Sequence, residues 1–280
     1  MKNADAATTA KRWARIAIGG LFLYTGAVWL RQTVSRLRHR HSLRILLYHR
    51  VNDLPGDPEA VRTADFEAQM RHVSETFNVV SLTSVIGLAK TGAQQEAVAI
   101  TFDDGYQDNF AHAVPILRRY GMPACFFVTT DYVGTDRCFP WDVPGPVAHP
   151  KLTWDELRQM DEMGFDMGAH TCSHPNLAQL SGRLGGREIL DSKARLGEEL
   201  GREVRLFATP FGKRGDMNPQ LRQVIQDNFD ICCNNIRGRI LLSDLRRYDL
   251  HRIAVQQWWS LFDFKRELEG VFDFLEWFRR

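Results

Sequence analysis

This 280-residue chain has little cysteine and no pairing pattern in it. Its five cysteines are Cys125, Cys138, Cys172, Cys232 and Cys233. They form an odd set with no Cys-x-x-Cys pair, which argues against a disulfide framework and against a thiolate zinc site. Free thiols lean towards a reducing compartment. Charge of one sign is also lacking: 36 Lys and Arg face 34 Asp and Glu, for a formal net charge of +2. No nucleic-acid footprint follows from so even a balance. No internal repeat and no low-complexity segment occurs. No apolar run reaches the roughly 20 residues that a full membrane span requires. What remains is an ordinary globular composition, long enough to bury one large core in one domain.

Two short polar motifs stand out, each after an apolar stretch. Ala99-Ile100-Thr101-Phe102 leads into Asp103-Asp104-Gly105, and Phe165-Asp166-Met167-Gly168-Ala169 leads into His170-Thr171-Cys172-Ser173-His174. Taken alone, Asp-Asp-Gly is ordinary turn chemistry, and two histidines four apart often pack or cap. Together they make one carboxylate and two imidazoles, a three-ligand set for a divalent metal. Three protein ligands with a position left open describe a catalytic centre rather than a structural one. The second carboxylate is then available as a base, which points to metal-assisted hydrolysis.

Organisation follows from periodicity. Residues 16–30 are apolar between Arg15 and Arg31, with Trp13 and Trp29 near the ends. We read 14–31 as a short membrane-anchor helix within a basic segment 1–41, ahead of a signal segment or a buried amphipathic helix. Basic residues on the two sides nearly balance, so orientation stays open. Residues 42–280 form one catalytic domain. Apolar strands are expected at 44–51, 79–80, 97–104, 124–130, 165–169, 204–209, 230–233 and 250–255. Helices are expected at 63–77, 83–90, 109–120, 153–163, 187–200, 218–228 and 260–277. Thr63, Thr153 and Ser260 are the expected caps, and Pro115 should kink its helix. Alternating strands and helices argue for parallel βαβ units with a sheet buried on both faces. Both motifs fall at strand C-terminal ends, where α/β barrels place their active sites.

At Thr101–Gly105 and His170–His174 the sequence resembles the first two motifs of the polysaccharide deacetylases, the NodB-homology group or carbohydrate esterase family 4. The resemblance spans roughly residues 43–256. It implies a distorted (β/α) barrel of about seven strands. It also implies removal of N-acetyl groups from N-acetylhexosamine glycans with one divalent metal, usually zinc. Carried over, Asp104, His170 and His174 are the metal ligands and Asp103 is the base. Phe207-Ala208-Thr209-Pro210-Phe211-Gly212 is similar to the third motif but departs from it. Ala208 stands where relatives often carry an Arg that holds the catalytic Asp. Phe211 replaces a Tyr whose backbone N–H helps stabilise the oxyanion, a role that its own N–H can fill.

The general acid is less clear-cut. Tyr48-His49-Arg50-Val51 resembles the Tyr-His motif of the branch acting on poly-N-acetylglucosamine, which favours His49. His251, in Asp249-Leu250-His251, is the second candidate, though it lacks the family spacing. Arg252 is expected to replace the missing Arg and pair with Asp103, because the last strand returns beside the first. Tyr106, Trp141 and Asp142 are the candidates for substrate contact, with a loop anchor as the plainer role of the last two. The basic run Arg237, Arg239, Arg246 and Arg247 reads as a solvated face or an anionic lipid contact. The expected partner is an N-acetylated glycan, with no nucleic acid. The expected protein is a monomer tethered to the inner membrane of a bacterium, and the family leans periplasmic. Two alternatives are a deacetylase or deformylase of a lipid-linked sugar, and an inactive sugar-binding module.

Overall fold

The computed structural model describes residues 42–271 and 273, apart from 56, 92–95 and 143–148. The expected anchor at 14–31 lies outside these residues. Among the described residues no helix is long and apolar enough to cross a membrane. The strands are β1 (Ser42–Tyr48), β2 (Arg50–Val51), β3 (Ala60–Val61), β4 (Asn78–Val79), β5 (Ala97–Phe102), β6 (Cys125–Val128), β7 (Asp166–Ala169), β8 (Leu206–Ala208), β9 (Ile231–Cys233), β10 (Ile240–Leu241) and β11 (Ile253–Ala254). The α-helices are α1 (Thr63–Thr76), α2 (Val85–Thr91), α3 (Val114–Arg119), α4 (Trp154–Glu162), α5 (Gly182–Leu200), α6 (Pro219–Asn228) and α7 (Leu261–Leu268).

Seven strands follow one path, in the order β10-β1-β5-β6-β7-β8-β9. From β1 to β9 every neighbour pair is parallel, and β10 is antiparallel to β1. Parallel pairing demands a crossover each time, and the helices supply it. β11 lies parallel to β1, with Leu46 opposite Ile253, while Leu250 bridges Cys233 on β9. The stretch 250–254 therefore crosses the gap between β1 and β9. This is the half-barrel form of the expected seven-strand barrel.

Strand alternation sorts the core into two layers. Leu46, Ile100, Phe102 and Phe126 pack outwards with Phe66 and Met70 of α1. Leu43, Ile45, Ala97, Ala99, Cys125 and Phe127 face the barrel interior. Small residues on β5 leave room where the interior is narrow. The same parity, continued through Thr101, aims Asp103 inwards at the strand's end. Gly168 on β7 has a steric reason of its own: a Cβ there would lie 2.4 Å from the Phe127 ring. The glycine lets that ring fill the interior.

Several boundaries differ from the sequence expectation. His49 is a bend between β1 and β2, so the first strand stops at Tyr48 and the chain turns out of the sheet. Thr63 is the first helical residue, and Arg62 occupies the cap position with no side-chain capping bond. Thr153 and Ser260 do cap, each in a reciprocal box with Glu156 and Asp263. Pro115 ends a single π-helical stretch, Asn109–Ala113, and sits in the first turn of α3. A proline lacks the N–H that a continuous helix would need there. α5 begins at Gly182, earlier than expected, because Ser181 accepts from Leu184 N–H. α7 stops at Leu268, ahead of the left-handed Gly270, and the expected continuation from 274 onward lies outside the described residues. β10 had no expectation at all: two residues between arginines and a short turn carry no periodic signal.

Candidate metal centre

Three strand ends and their loops build the site. Asp103 continues β5, its N–H donating to Tyr48 O at 3.0 Å. Asp104 then turns sharply with φ of 75°. His170 follows β7, its N–H donating to Val128 O. Thr171 and His174 take φ of 67° and 59°, and Phe211, after β8, takes 59°. Among the described residues these four are the non-glycine positions with positive φ. Each costs on the order of 1–3 kcal/mol, and such conformations gather at functional sites. All four fall in the three motifs.

The left-handed turns are held by specific bonds. Glu188 of α5 accepts the N–H groups of Cys172 and Ser173 through Oε2, each at 2.9 Å, and the Ser173 hydroxyl through Oε1 at 2.8 Å. Thr171 Oγ1 accepts from His174 N–H at 3.1 Å. Nothing in the motif sequence signalled Glu188, which stands fourteen residues beyond His174 on a separate helix.

Asp104, His170 and His174 each offer a ligand atom, all within 4.8 Å of one another. Asp104 Oδ1 lies 3.6 Å from His170 Nε2 and 3.4 Å from His174 Nε2. That oxygen is buried and has no hydrogen-bond partner among the described residues. His170 Nδ1 donates to Ala208 O at 2.7 Å, which fixes the tautomer and turns the Nε2 lone pair towards Asp104. Ala208, singled out for the side chain it lacks, thus contributes its carbonyl. A buried carboxylate oxygen without a donor, facing two ring nitrogens, fits a cation. Carboxylate and imidazole are the donor set expected for zinc or a similar divalent ion.

Burial lowers the pKa of both histidines to about 4, against the pull of the neighbouring Asp103. Neutral imidazoles are the metal-binding form. In metal-free protein both rings are therefore expected to stay neutral down to about pH 4, and NMR titration of the ring protons checks this. A midpoint near the ordinary 6.5 for either ring would contradict the buried arrangement. Burial also raises Asp104.

Asp103 is set apart from its neighbour by Arg252. Nη1 and Nη2 donate to Oδ1 and Oδ2, both at 2.7 Å, in a two-pronged ion pair. Arg252 also donates from Nε to Asn234 O at 2.8 Å and from Nη1 to Thr101 Oγ1 at 3.3 Å. Its guanidinium lies over the Phe127 ring, and the side chain is buried. Burial would raise the Asp103 carboxyl, but the Arg252 charge and hydrogen bonds, with His170, outweigh it and hold the group at about 2. The seam of the barrel thus delivers the cation that Ala208 does not.

His49 is half-buried at the end of β1, its Nδ1 3.9 Å from Glu59. It follows Tyr48, whose carbonyl accepts from Asp103 N–H, so it stands beside the strand end that carries the carboxylate pair. His251 instead lines a cleft beyond the third motif, 3.9 Å from Asp249. Phe211 is 41% exposed, and its N–H has no acceptor among the described residues.

The expected groove residues divide. Trp141 is 41% exposed and lies edge-on to His174, with ring centroids 4.9 Å apart. Tyr106 and Asp142 are buried. Asp142 accepts from Arg50 at 2.6 Å, from Lys151 at 3.2 Å and from the Tyr106 hydroxyl at 3.0 Å. Asp57 takes the other prong of Arg50 at 2.6 Å. Trp141 Nε1 in turn donates to the Tyr106 hydroxyl at 3.0 Å. Two carboxylates between two cations need this enclosure of hydrogen bonds to be tolerable when buried. Its effect is to fix Trp141 beside His174 of the candidate metal centre.

Comparison with known proteins agrees with this geometry. Residues 90–228 match the family model described as Polysaccharide deacetylase. The chain is 26% identical over 216 residues to YxkH of Bacillus subtilis (strain 168), assigned to the polysaccharide deacetylases by name alone; the match covers 76% of this chain and 71% of that one. It is 25% identical over 147 residues to the poly-beta-1,6-N-acetyl-D-glucosamine N-deacetylase of Staphylococcus aureus (strain MRSA252), covering 51% of this chain and 48% of the relative. The deacetylase PplD of Streptococcus pyogenes, solved with acetate, has the same fold, with a TM-score of 0.70 at 22% identity over 82% of this chain and 99% of its own. Because the matched segment holds both motifs and the strands that aim them, this chain belongs to the polysaccharide deacetylase family.

Proposed function

We propose that this protein is a metal-dependent N-deacetylase acting on N-acetylhexosamine units of a glycan. The observation that carries the reading is Asp104 Oδ1, buried without a donor between two imidazoles, beside a second carboxylate kept ionised by Arg252. A divalent ion held by Asp104, His170 and His174, zinc on this reading, supplies Lewis-acid activation of water and of the amide carbonyl. Asp103 takes the proton from the attacking water. Arg252 keeps Asp103 in the basic form and fixes its plane. The Phe211 N–H donates to the oxygen on which negative charge develops. His49, rather than His251, returns a proton to the departing amine, because His49 follows Tyr48, whose carbonyl is bonded by Asp103 N–H, whereas His251 lines the cleft beyond the third motif. Trp141 and Phe211, in edge contact with each other and with His174, offer ring surface to a sugar.

The motif-three departure at Ala208 favoured an inactive module. Arg252 in its bidentate pair removes that ground. Acetate release from β-1,4- and β-1,6-linked N-acetylglucosamine oligomers, compared with the Asp103→Asn protein, tests the reading. No acetate from any oligomer with metal-loaded protein would refute it.

Tethering by residues 14–31 belongs to the same proposal and rests on their apolar run between arginines. The full chain is expected to stay in the membrane fraction through a carbonate wash. A full chain that is wholly released would exclude the anchor.

A further inference from the structure

Beyond Phe211 the third-motif loop runs into a basic cleft that the catalytic reading leaves unused. The loop reads Phe211-Gly212-Lys213-Arg214-Gly215. Gly212 and Gly215 are left-handed, with φ of 62° and 93°. A Cβ on Gly212 would meet Asn235 N at 2.5 Å, so the loop presses closely on the segment after β9. Asp216 pins the loop's base: it accepts from Lys213 N–H at 2.9 Å and from Asn176 Nδ2 at 3.0 Å. Lys213 and Arg214 stand exposed at the tip.

Two adjoining hollows of about 370 and 640 Å³ open there, both lined by Lys213, Arg214, Asp249 and His251. The smaller begins at Thr209 and Gly212, on either side of Phe211, and also reaches Arg222. The larger continues to Arg237, Arg239 and Arg246. These last three have acidic neighbours: Arg237 pairs with Glu267, Arg239 with Asp273 at 3.4 Å and Arg246 with Asp244 at 3.8 Å. Lys213, Arg214 and Arg222 have no ion-pair partner among the described residues. Three uncommitted cations at the mouth of a cleft, next to the oxyanion donor, leave a local excess of positive charge.

We propose that this cleft binds a phosphate group carried by the glycan substrate, one or more sugars away from the acetamido group that is cut. The proposal rests on the N-deacetylase reading for the orientation of the chain in the site. A neutral sugar polymer has no use for three unpaired cations. A phosphate does: the guanidinium offers paired donors and the ammonium a mobile point charge, and together they match a group with several charged oxygens. The left-handed glycines hold Lys213 and Arg214 on a short, pinned loop, so little ordering remains to be done on binding. The phosphate can be an ester on the sugar chain or the link to a lipid carrier.

Binding measurements on the full, metal-loaded chain carrying Asp103→Asn test the cleft without turnover. The probes are an N-acetylglucosamine pentamer with a reducing-end phosphate monoester and the uncharged pentamer. The phosphorylated probe should bind about tenfold more tightly, the scale of a single charge-assisted hydrogen bond. Adding Lys213→Ser and Arg214→Ser should bring that advantage below about twofold, and rising salt should erode it, as for exposed charges generally. Equal affinity for the two probes, or an advantage that survives both serine substitutions, overturns the proposal. Vesicles of phosphatidylcholine and phosphatidylglycerol form the second arm. Vesicle binding that the serine substitutions abolish, with no preference between pentamers, would make the cleft a membrane contact and also overturn it. Acetate release by the wild-type chain from both pentamers is measured separately. Its absence beside phosphate-dependent binding would refute the deacetylase reading while supporting the cleft.

Discussion

Replacing Asp103 with Asn is expected to lower kcat by about 10²–10⁴-fold, the range for a positioned acid or base, with metal content unchanged. The geometry separates the two neighbouring carboxylates. Asp104 faces the imidazoles with a buried, unpartnered oxygen, while both oxygens of Asp103 are bonded to Arg252. An amide at position 103 keeps the size and can still accept one hydrogen bond, but it has no proton affinity to offer the attacking water. Steady-state kinetics with parallel metal analysis checks the expectation. A near-normal kcat would remove Asp103 from the role of base, and loss of the metal would make it a ligand instead.

Arg252→Met is expected to have the second largest effect. It leaves a buried carboxylate without its counter-ion, a change that costs about 3–5 kcal/mol of stability at neutral pH. The sign of the pH dependence follows from the Asp103 value of about 2, below that of a free Asp. A depressed folded-state pKa contributes stability that is present above about pH 3.9 and is lost as the pH falls through about 2. Without Arg252, burial raises the carboxyl, so the protonated form suits the fold. The Tm difference between wild type and Arg252→Met should then shrink on acidification, measured on chelated protein. In kcat/KM the acid limb should move to higher pH, because the base ionises later. An unmoved acid limb together with an unchanged Tm would show that the ion pair carries neither role.

The site was legible in the sequence where neighbours along the chain do the work. Asp103 and Asp104 are adjacent, and His170 and His174 share one loop, so strand parity and a short turn suffice to bring them to one mouth. Arg252 was legible by subtraction: Ala208 left Asp103 without a cation, and a returning strand offered one. The supports were not legible in this way. Glu188 holds the histidine loop from a helix whose polar face looks like any other. Arg50, Asp57, Asp142 and Lys151 come from four segments, and no spacing links them. Charged residues next to strand ends, such as Arg50 after Tyr48-His49, are the one signal that such a buried network leaves. Asp142 illustrates the point: a loop rich in prolines reads as surface, whereas the network draws its Asp inside. In the fold, strand centres followed the apolar runs closely. Ends moved where a single residue decides them: His49 at a bend, Ser181 at a cap and Pro115 at a π-helical stretch.

The central claim is that Asp104, His170 and His174 hold one divalent metal on which deacetylation depends. The direct measurement is metal content per chain alongside acetate release from an N-acetylglucosamine oligomer, for wild type and for His170→Ala and His174→Ala. The account predicts one metal per wild-type chain, activity lost on chelation and restored by the metal, and both metal and acetate release lost in each variant. Full metal occupancy in both variants, or undiminished acetate release from the fully chelated wild-type protein, would contradict it.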